Sequence, residues 1–171
     1  VAHRMGTTDL QRFAGQWFVV KIGGELATDI PALARSVVRS VGAFQRAGIR
    51  VVVVHGGGPQ ANALSERLGL ERAQVAGQRI TDAATLEVMK MAVAGQASVN
   101  IAAAFRLGKV NALCTSGVSG QWVIAERRPK VSVPNVPDPV DYGLVGDIKH
   151  IDVEALSAIQ STGCVPVIGC L

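Results

Sequence analysis

The run Trp17-Phe18-Val19-Val20-Lys21-Ile22 is apolar except at Lys21 and rich in β-branched and aromatic side chains, the composition of a buried strand. Gly23-Gly24 ends it. A helix is expected from about Asp29, an N-cap with Pro31 in the first turn. Leu33, Val37, Val38, Val41 and Phe44 then fall on one helical face until Gly48 stops the pattern. Ile49-Arg50-Val51-Val52-Val53-Val54 is the clearest strand in the chain, and His55-Gly56-Gly57-Gly58-Pro59 ends it. A second helix is expected through Asn62, Leu64 and Leu68 to Gly69. Strand, glycine turn and helix, twice over, predict an α/β fold with a parallel sheet and helices on its faces.

Further along, Gln74 to Thr81 reads as a strand or hairpin around Gly77. Thr81 or Asp82 then caps a long Ala-, Met- and Val-rich helix reaching about Leu107, with Gly95 as its weak point. Strands are expected at Lys109–Cys114 and Gln121–Glu126, around a turn-rich loop, and Pro129, Pro134, Pro137 and Pro139 mark an ordered surface loop over residues 129–142. Leu144–Ile151 looks extended, Asp152 caps a helix ending at Gly163, and Val165-Pro166-Val167-Ile168 is another sheet strand. A core-type strand at the end of the sequence leads to the expectation of more protein beyond Leu171. Residues 1–16 read as a lead-in, with residues 1–4, ahead of Met5, a remnant outside the domain.

Composition refines this picture. Aromatic residues make up only 4% of the 171, so the core must be built from Val, Ala, Leu and Ile, which suits buried parallel strands covered by Ala-rich helices. The net charge of +4 favours anionic metabolites, but the cations are scattered without interleaved aromatics, so nucleic-acid binding is not expected. The trio Arg127, Arg128 and Lys130 reads as a solvated loop, as do Asp138, Asp141 and Asp147, and no metal site is expected. Cys114, Cys164 and Cys170 are odd in number and lack C-x-x-C spacing, which fits thiols in a reducing compartment. No apolar run approaches the roughly 18 residues of a membrane span, and the first residues lack a secretory signal, so a cytoplasmic protein with no membrane partner is expected.

The candidate chemistry lies at the strand ends. Ligands of parallel sheets bind at the carboxyl ends of strands, and both Gly23-Gly24 and Gly56-Gly57-Gly58 lie there. Glycine lets the backbone approach a ligand, and N–H groups at a turn into a helix bind anions. Neither turn matches a Walker or dinucleotide fingerprint, and either alone reads as readily as a tight structural turn. Together, with Lys21 two residues before the first, they suit phosphoryl transfer, which needs positioning and electrostatic stabilisation. Arg79, between an extended segment and a helix start, has the planar fork that clamps a carboxylate. His55 is read as a structural, turn-orienting residue, and His3 and His150 as surface residues.

Val20-Lys21-Ile22-Gly23-Gly24 resembles the first-strand motif of the amino-acid kinase family. Val54-His55-Gly56-Gly57-Gly58-Pro59-Gln60 and Gly77-Gln78-Arg79-Ile80-Thr81-Asp82 resemble motifs of its N-acetylglutamate kinases, and Tyr142-Gly143-Leu144-Val145-Gly146-Asp147 and Val165-Pro166-Val167-Ile168 match two later landmarks. The resemblance implies a three-layer αβα sandwich with a mainly parallel sheet, here truncated before the nucleotide-binding half, so that residues 17–171 are the acceptor-binding lobe. It implies transfer of the γ-phosphoryl of ATP, with Mg2+, to the side-chain carboxylate of N-acetyl-L-glutamate in arginine biosynthesis, by a homo-oligomer when full length. Carried over by position, Lys21 and Gly24 are catalytic, Gly23, Gly24 and Gly56 bind phosphate, and Gly57, Gly58 and Arg79 bind the acceptor. The chain departs from the family at Gln78, where leucine is usual, and at Ser116-Gly117-Val118-Ser119-Gly120, where Gly-Lys-Asp-Gly is frequent. The family's Asn-x-Asn-Ala-Asp segment would lie beyond Leu171, so the isolated chain is expected to be inactive. Other readings are an aminoadipate-pathway kinase, or a kinase-like regulatory domain that binds an acylamino acid or arginine, as in acetylglutamate synthase.

Overall fold

Strands β1 (Trp17–Ile22) and β2 (Arg50–His55) run side by side in parallel, with Ile22 opposite His55 at their carboxyl ends. A computed structural model describes residues 7–171; residues 1–6, which include the expected remnant 1–4 with His3, lie outside the described residues. Strand β5 (Ala112–Ser116) and strand β8 (Val165–Gly169) complete a four-stranded parallel sheet in the order β1-β2-β8-β5. In β2, Val51, Val52, Val53 and His55 are all buried, so both faces of this central strand are covered, as the continuous apolar run requires. The fold is the expected α/β architecture, with helices flanking a parallel sheet.

A short helix, α1 (Thr7–Gln11), precedes β1. Helix α2 spans residues 30–46. It opens as predicted, with the Asp29 carboxylate accepting from the Ala32 N–H at 2.8 Å and Pro31 in the first turn. Its stretch Ala34–Val38 is π-helical, and Leu33, Val38 and Val41 are buried. Helix α3 (Gly58–Arg67) starts directly on the second glycine turn. Helix α4 (Ala83–Leu107) is capped by Asp82, whose carboxylate accepts from the Thr85 N–H at 2.7 Å. Gly95 does not break it; it sits within a π-helical stretch, Lys90–Ala97. By length and composition α4 could cross a membrane, contrary to the expectation that no segment approaches that length. In this fold Ala92, Val93, Ala97, Ile101, Ala104 and Phe105 are buried. Helix α5 (Val153–Ser161) is capped by Asp152 and packs on β8.

Several boundaries differ from the sequence reading. The predicted strand Lys109–Cys114 begins instead at Ala112, because Lys109 takes φ 56° and the Val110 N–H bonds back to the Phe105 carbonyl, closing α4. The strand expected from Gln121, β6 (Val123–Arg127), begins two residues later, because Gly120 and Gln121 both have positive φ in a tight turn. It pairs with β7 (Gly146–Ile151) in an antiparallel ribbon. Arg127 and Lys130 are solvent-exposed, as expected, but Arg127 ends β6 rather than lying in a loop and pairs with Asp141, and half-buried Arg128 follows it and pairs with Asp147 at 2.7 Å. The four-proline segment closes on itself through reciprocal Val131 and Val140 backbone hydrogen bonds. Residues 74–79 form a tight hairpin, β3 (Gln74–Val75) and β4 (Gln78–Arg79), turned by Ala76 and Gly77, both with positive φ.

Candidate functional site

The parallel register brings both glycine turns out of the sheet side by side. Their inner residues touch. A Cβ on Gly24 would lie 2.7 Å from Pro59 Cδ and 2.9 Å from Gln60 Oε1. Gln60, buried in the first turn of α3, donates from Nε2 to the Gly24 carbonyl at 2.7 Å. Gly57 is pinned from the other side, where a Cβ would meet Val93 Cγ2 at 3.0 Å and Val93 Cα at 3.2 Å. Packing inside the chain therefore accounts for glycine at Gly24 and Gly57.

It does not account for glycine at Gly23, Gly56 or Gly58. None has a positive φ, and a Cβ on any of them would meet no atom of the described residues within 4 Å beyond the adjoining backbone. Neither conformation nor internal packing demands glycine here, so the bare backbone is open to a molecule from outside the chain. Lys21 is exposed at the end of β1 and takes part in no ion pair among the described residues. The first turn of α3 adds N–H groups without helical partners and the positive end of the helix dipole. Chemically, N–H donors beside a lysine are an arrangement that can accept a negatively charged group.

His55 lies beneath the second turn, fully buried. Its Nδ1 is 3.0 Å from the Gly56 carbonyl, which can only accept, so Nδ1 donates and Nε2 is left as a buried acceptor without a partner among the described residues. Burial pushes the imidazole below its ordinary value, with the Gly56 hydrogen bond opposing, so the ring is neutral at pH 7. This is the turn-orienting arrangement expected of it.

Arg79 reaches the site through α3. Its Nη2 donates to Asn62 Oδ1, one turn along from Gly58, and its Nη1 lies 3.0 Å from Met89 Sδ on α4. The side chain is half-buried, and burial, followed by the nearby Arg72 charge, lowers its proton affinity. Among the described residues no carboxylate pairs with it. A half-buried guanidinium without a counter-ion suits an anionic ligand.

The segment carrying Arg79 is stapled from a distance. The Thr81 N–H donates to the Tyr142 carbonyl and the Leu144 N–H to the Thr81 carbonyl, at 2.9 and 2.7 Å. Gly143 has φ 76°, and a Cβ there would lie 2.3 Å from the Thr81 carbonyl oxygen, so only glycine fits. Tyr142 donates its hydroxyl to the Val75 carbonyl, and Arg128, paired with Asp147, donates to Gln78 Oε1. Asp141 and Asp147 are thus ion-pair partners rather than free turn residues, and Gln78 makes a contact that leucine could not.

Residues 16–171 match the family model for the amino acid kinase family. The chain belongs to that family. Among its relatives is an acetylglutamate kinase of Sorangium cellulosum, 47% identical over 154 residues, spanning 90% of this chain and 54% of that protein. Another, from Myxococcus xanthus, is 38% identical and spans 93% of this chain and 53% of its own length. The chain thus covers about half the length of the curated kinases it matches. Its fold is shared by smu.665 of Streptococcus mutans, with a TM-score of 0.73 at 22% identity over 90% of this chain and 58% of that one. It is also shared by N-acetylglutamate synthase of Neisseria gonorrhoeae, with a TM-score of 0.71 at 23% identity over 95% of this chain and 35% of that one.

As a member of the amino acid kinase family, the chain gathers Lys21, Gly23, Gly24, Gly56, Gly57 and Gly58 at one sheet edge, and Arg79 joins them through Asn62. The sequence reading missed Gln60, Asn62 and the Tyr142–Gly143 staple as supports of this edge. Gln60 and Tyr142–Gly143 stood inside quoted motifs, but their partners lie 36 or more residues away. Asn62 carried no signal beyond its place one helical turn after Gly58.

Proposed function

We propose that the full-length protein transfers the γ-phosphoryl of ATP to the side-chain carboxylate of N-acetyl-L-glutamate, with residues 17–171 as the acceptor-binding lobe and ATP with its Mg2+ held largely by residues outside this chain. The observation that carries this reading is the row of open glycines, Gly23, Gly56 and Gly58, beside the unpaired Lys21. On this reading Lys21 and the N–H groups of Gly23, Gly24 and Gly56 neutralise the phosphoryl oxygens during transfer. Gly57, Gly58 and Arg79 hold the acceptor, with the Arg79 fork on its α-carboxylate. A carboxylate is already ionised at neutral pH, so the step needs no general base, and the buried neutral His55 serves the turn. The relatives named acetylglutamate kinase support the choice of acceptor, and on this reading the protein works in arginine biosynthesis in the cytoplasm. The full-length protein is proposed to be a homo-oligomer.

Calorimetric titration of the chain with N-acetyl-L-glutamate, N-acetylated aminoadipate and arginine tests the acceptor. Binding of the first, weakened by Arg79→Ala, is expected; preferential binding of either other compound would replace this reading with an aminoadipate-pathway kinase or an arginine-sensing domain. The isolated chain is expected to form no acylphosphate from ATP.

A further inference from the structure

A cluster of three arginines lies along α2, beside a cleft that none of the glycine-turn residues lines. A cleft of ≈ 410 Å³ runs between α2 and the C-terminal end of α4, lined by Pro31, Arg35, Arg39, Gly42, Arg46 and Gly108 among others. Its three arginines belong to one helix, at intervals of four and seven residues, about 6 and 10 Å along the axis. None of the three pairs with a carboxylate among the described residues. The surrounding sequence offers none: residues 30–65 contain no Asp or Glu, nor do residues 88–125, from which Leu107, Gly108 and Val110 line the other side of the cleft. Asp29, just before α2, is committed to capping Ala32.

The floor of the cleft is tightly built. A Cβ on Gly42 would lie 2.9 Å from Val110 Cγ2 and 3.3 Å from Arg46 Nη1, so the Arg46 guanidinium folds back over Gly42. A Cβ on Gly108 would lie 2.5 Å from Val38 Cγ1, which brings the end of α4 against α2. Three exposed arginines on one side of a helix, with no carboxylate paired to them among the described residues, raise the local positive potential, and a ligand of opposite charge is favoured there. A monoanion would neutralise one arginine and leave two.

We infer that this cleft binds a compact small molecule carrying three or more negative charges, as phosphate or carboxylate groups, with Arg35, Arg39 and Arg46 as its ligands. The inference does not depend on the acceptor assigned to the glycine-turn edge. Since that edge also attracts anions, the test must separate the two. Inorganic tripolyphosphate, ATP and citrate are titrated at low salt into the chain, into the R35Q/R39Q/R46Q variant and into Lys21→Ala. Glutamine keeps most of each side-chain stem, and circular dichroism checks that the variant folds. Binding of at least one of the three compounds is expected, weakened about tenfold or more by the triple substitution, kept in Lys21→Ala, and falling as salt rises. Which compound binds identifies phosphate or carboxylate as the source. Absence of binding for all three, or binding that survives the triple substitution in a folded protein, or binding that is lost in Lys21→Ala, would overturn the inference.

Discussion

Gln60 reaches across the sheet edge, its Nε2 2.7 Å from the carbonyl oxygen of Gly24, 36 residues earlier, so that one hydrogen bond ties the first glycine turn to the helix that starts on the second. The contact fixes the spacing of the two N–H arrays, and that spacing decides whether both can face one ligand.

Replacing Gln60 by Ala leaves the Gly24 carbonyl without its partner and opens space in the first turn of α3. A loss of about 1–3 kcal/mol is expected, read as an earlier midpoint in urea unfolding.

The glycines divide into two groups. Gly24→Ala places a Cβ against Pro59 and Gln60 and is expected to lower thermal stability. Gly23→Ala and Gly56→Ala meet nothing and have no positive φ, so their stability should hold or rise by up to about 1 kcal/mol. The same two substitutions should sharply lower turnover in the full-length enzyme by filling the ligand's space. Melting curves beside initial rates measure both effects, and unchanged rates in Gly23→Ala would count against a phosphate site there.

Arg79→Lys keeps the charge but loses the planar fork. The acceptor should bind about tenfold or more weakly while the fold persists, measured by titration calorimetry beside circular dichroism.

His55 is buried and neutral, with its proton affinity lowered from the ordinary value near 6.5. The unfolded chain therefore takes up this proton more readily than the folded one. The stability linked to His55 is complete above pH 6.5 and lost as pH falls through the depressed folded value. Denaturant midpoints at pH 7.5, 6.0 and 5.0 should fall in the parent chain, and fall less steeply in His55→Gln.

Burial pushes the Cys114 thiol up to about 11, whereas Cys170 is exposed. A disulfide reagent at pH 8 should label Cys170 quickly and leave Cys114 to react only on unfolding.

The strand ends were readable because strong local signals agreed there. The Trp17–Ile22 strand, the Asp29, Asp82 and Asp152 caps, and the glycine turns all stand where hydrophobic pattern and capping chemistry put them. The errors arose where backbone conformation overrode composition. Lys109 and Gln121 adopt positive φ, uncommon for residues of their type, and delay the strands that follow. A π-helical stretch carries α4 past Gly95. The open state of Gly23, Gly56 and Gly58 was beyond sequence reasoning, because it depends on where other segments do not go. The Arg79–Asn62 contact depends on the hairpin being held against α3, which residues 142–144 accomplish from far along the chain.

That distant hold gives the two sides of the site different birthdays. Both partners of the Gln60–Gly24 hydrogen bond have left the ribosome once Gln60 emerges. The Arg79 segment is closed by partners 50 and 67 residues downstream of Gln78 and Val75. At ordinary rates of synthesis Tyr142 follows Gln60 on the order of 10 s later. On the proposed reading, the Arg79 side of the site therefore closes only after residues 128–147 have been made.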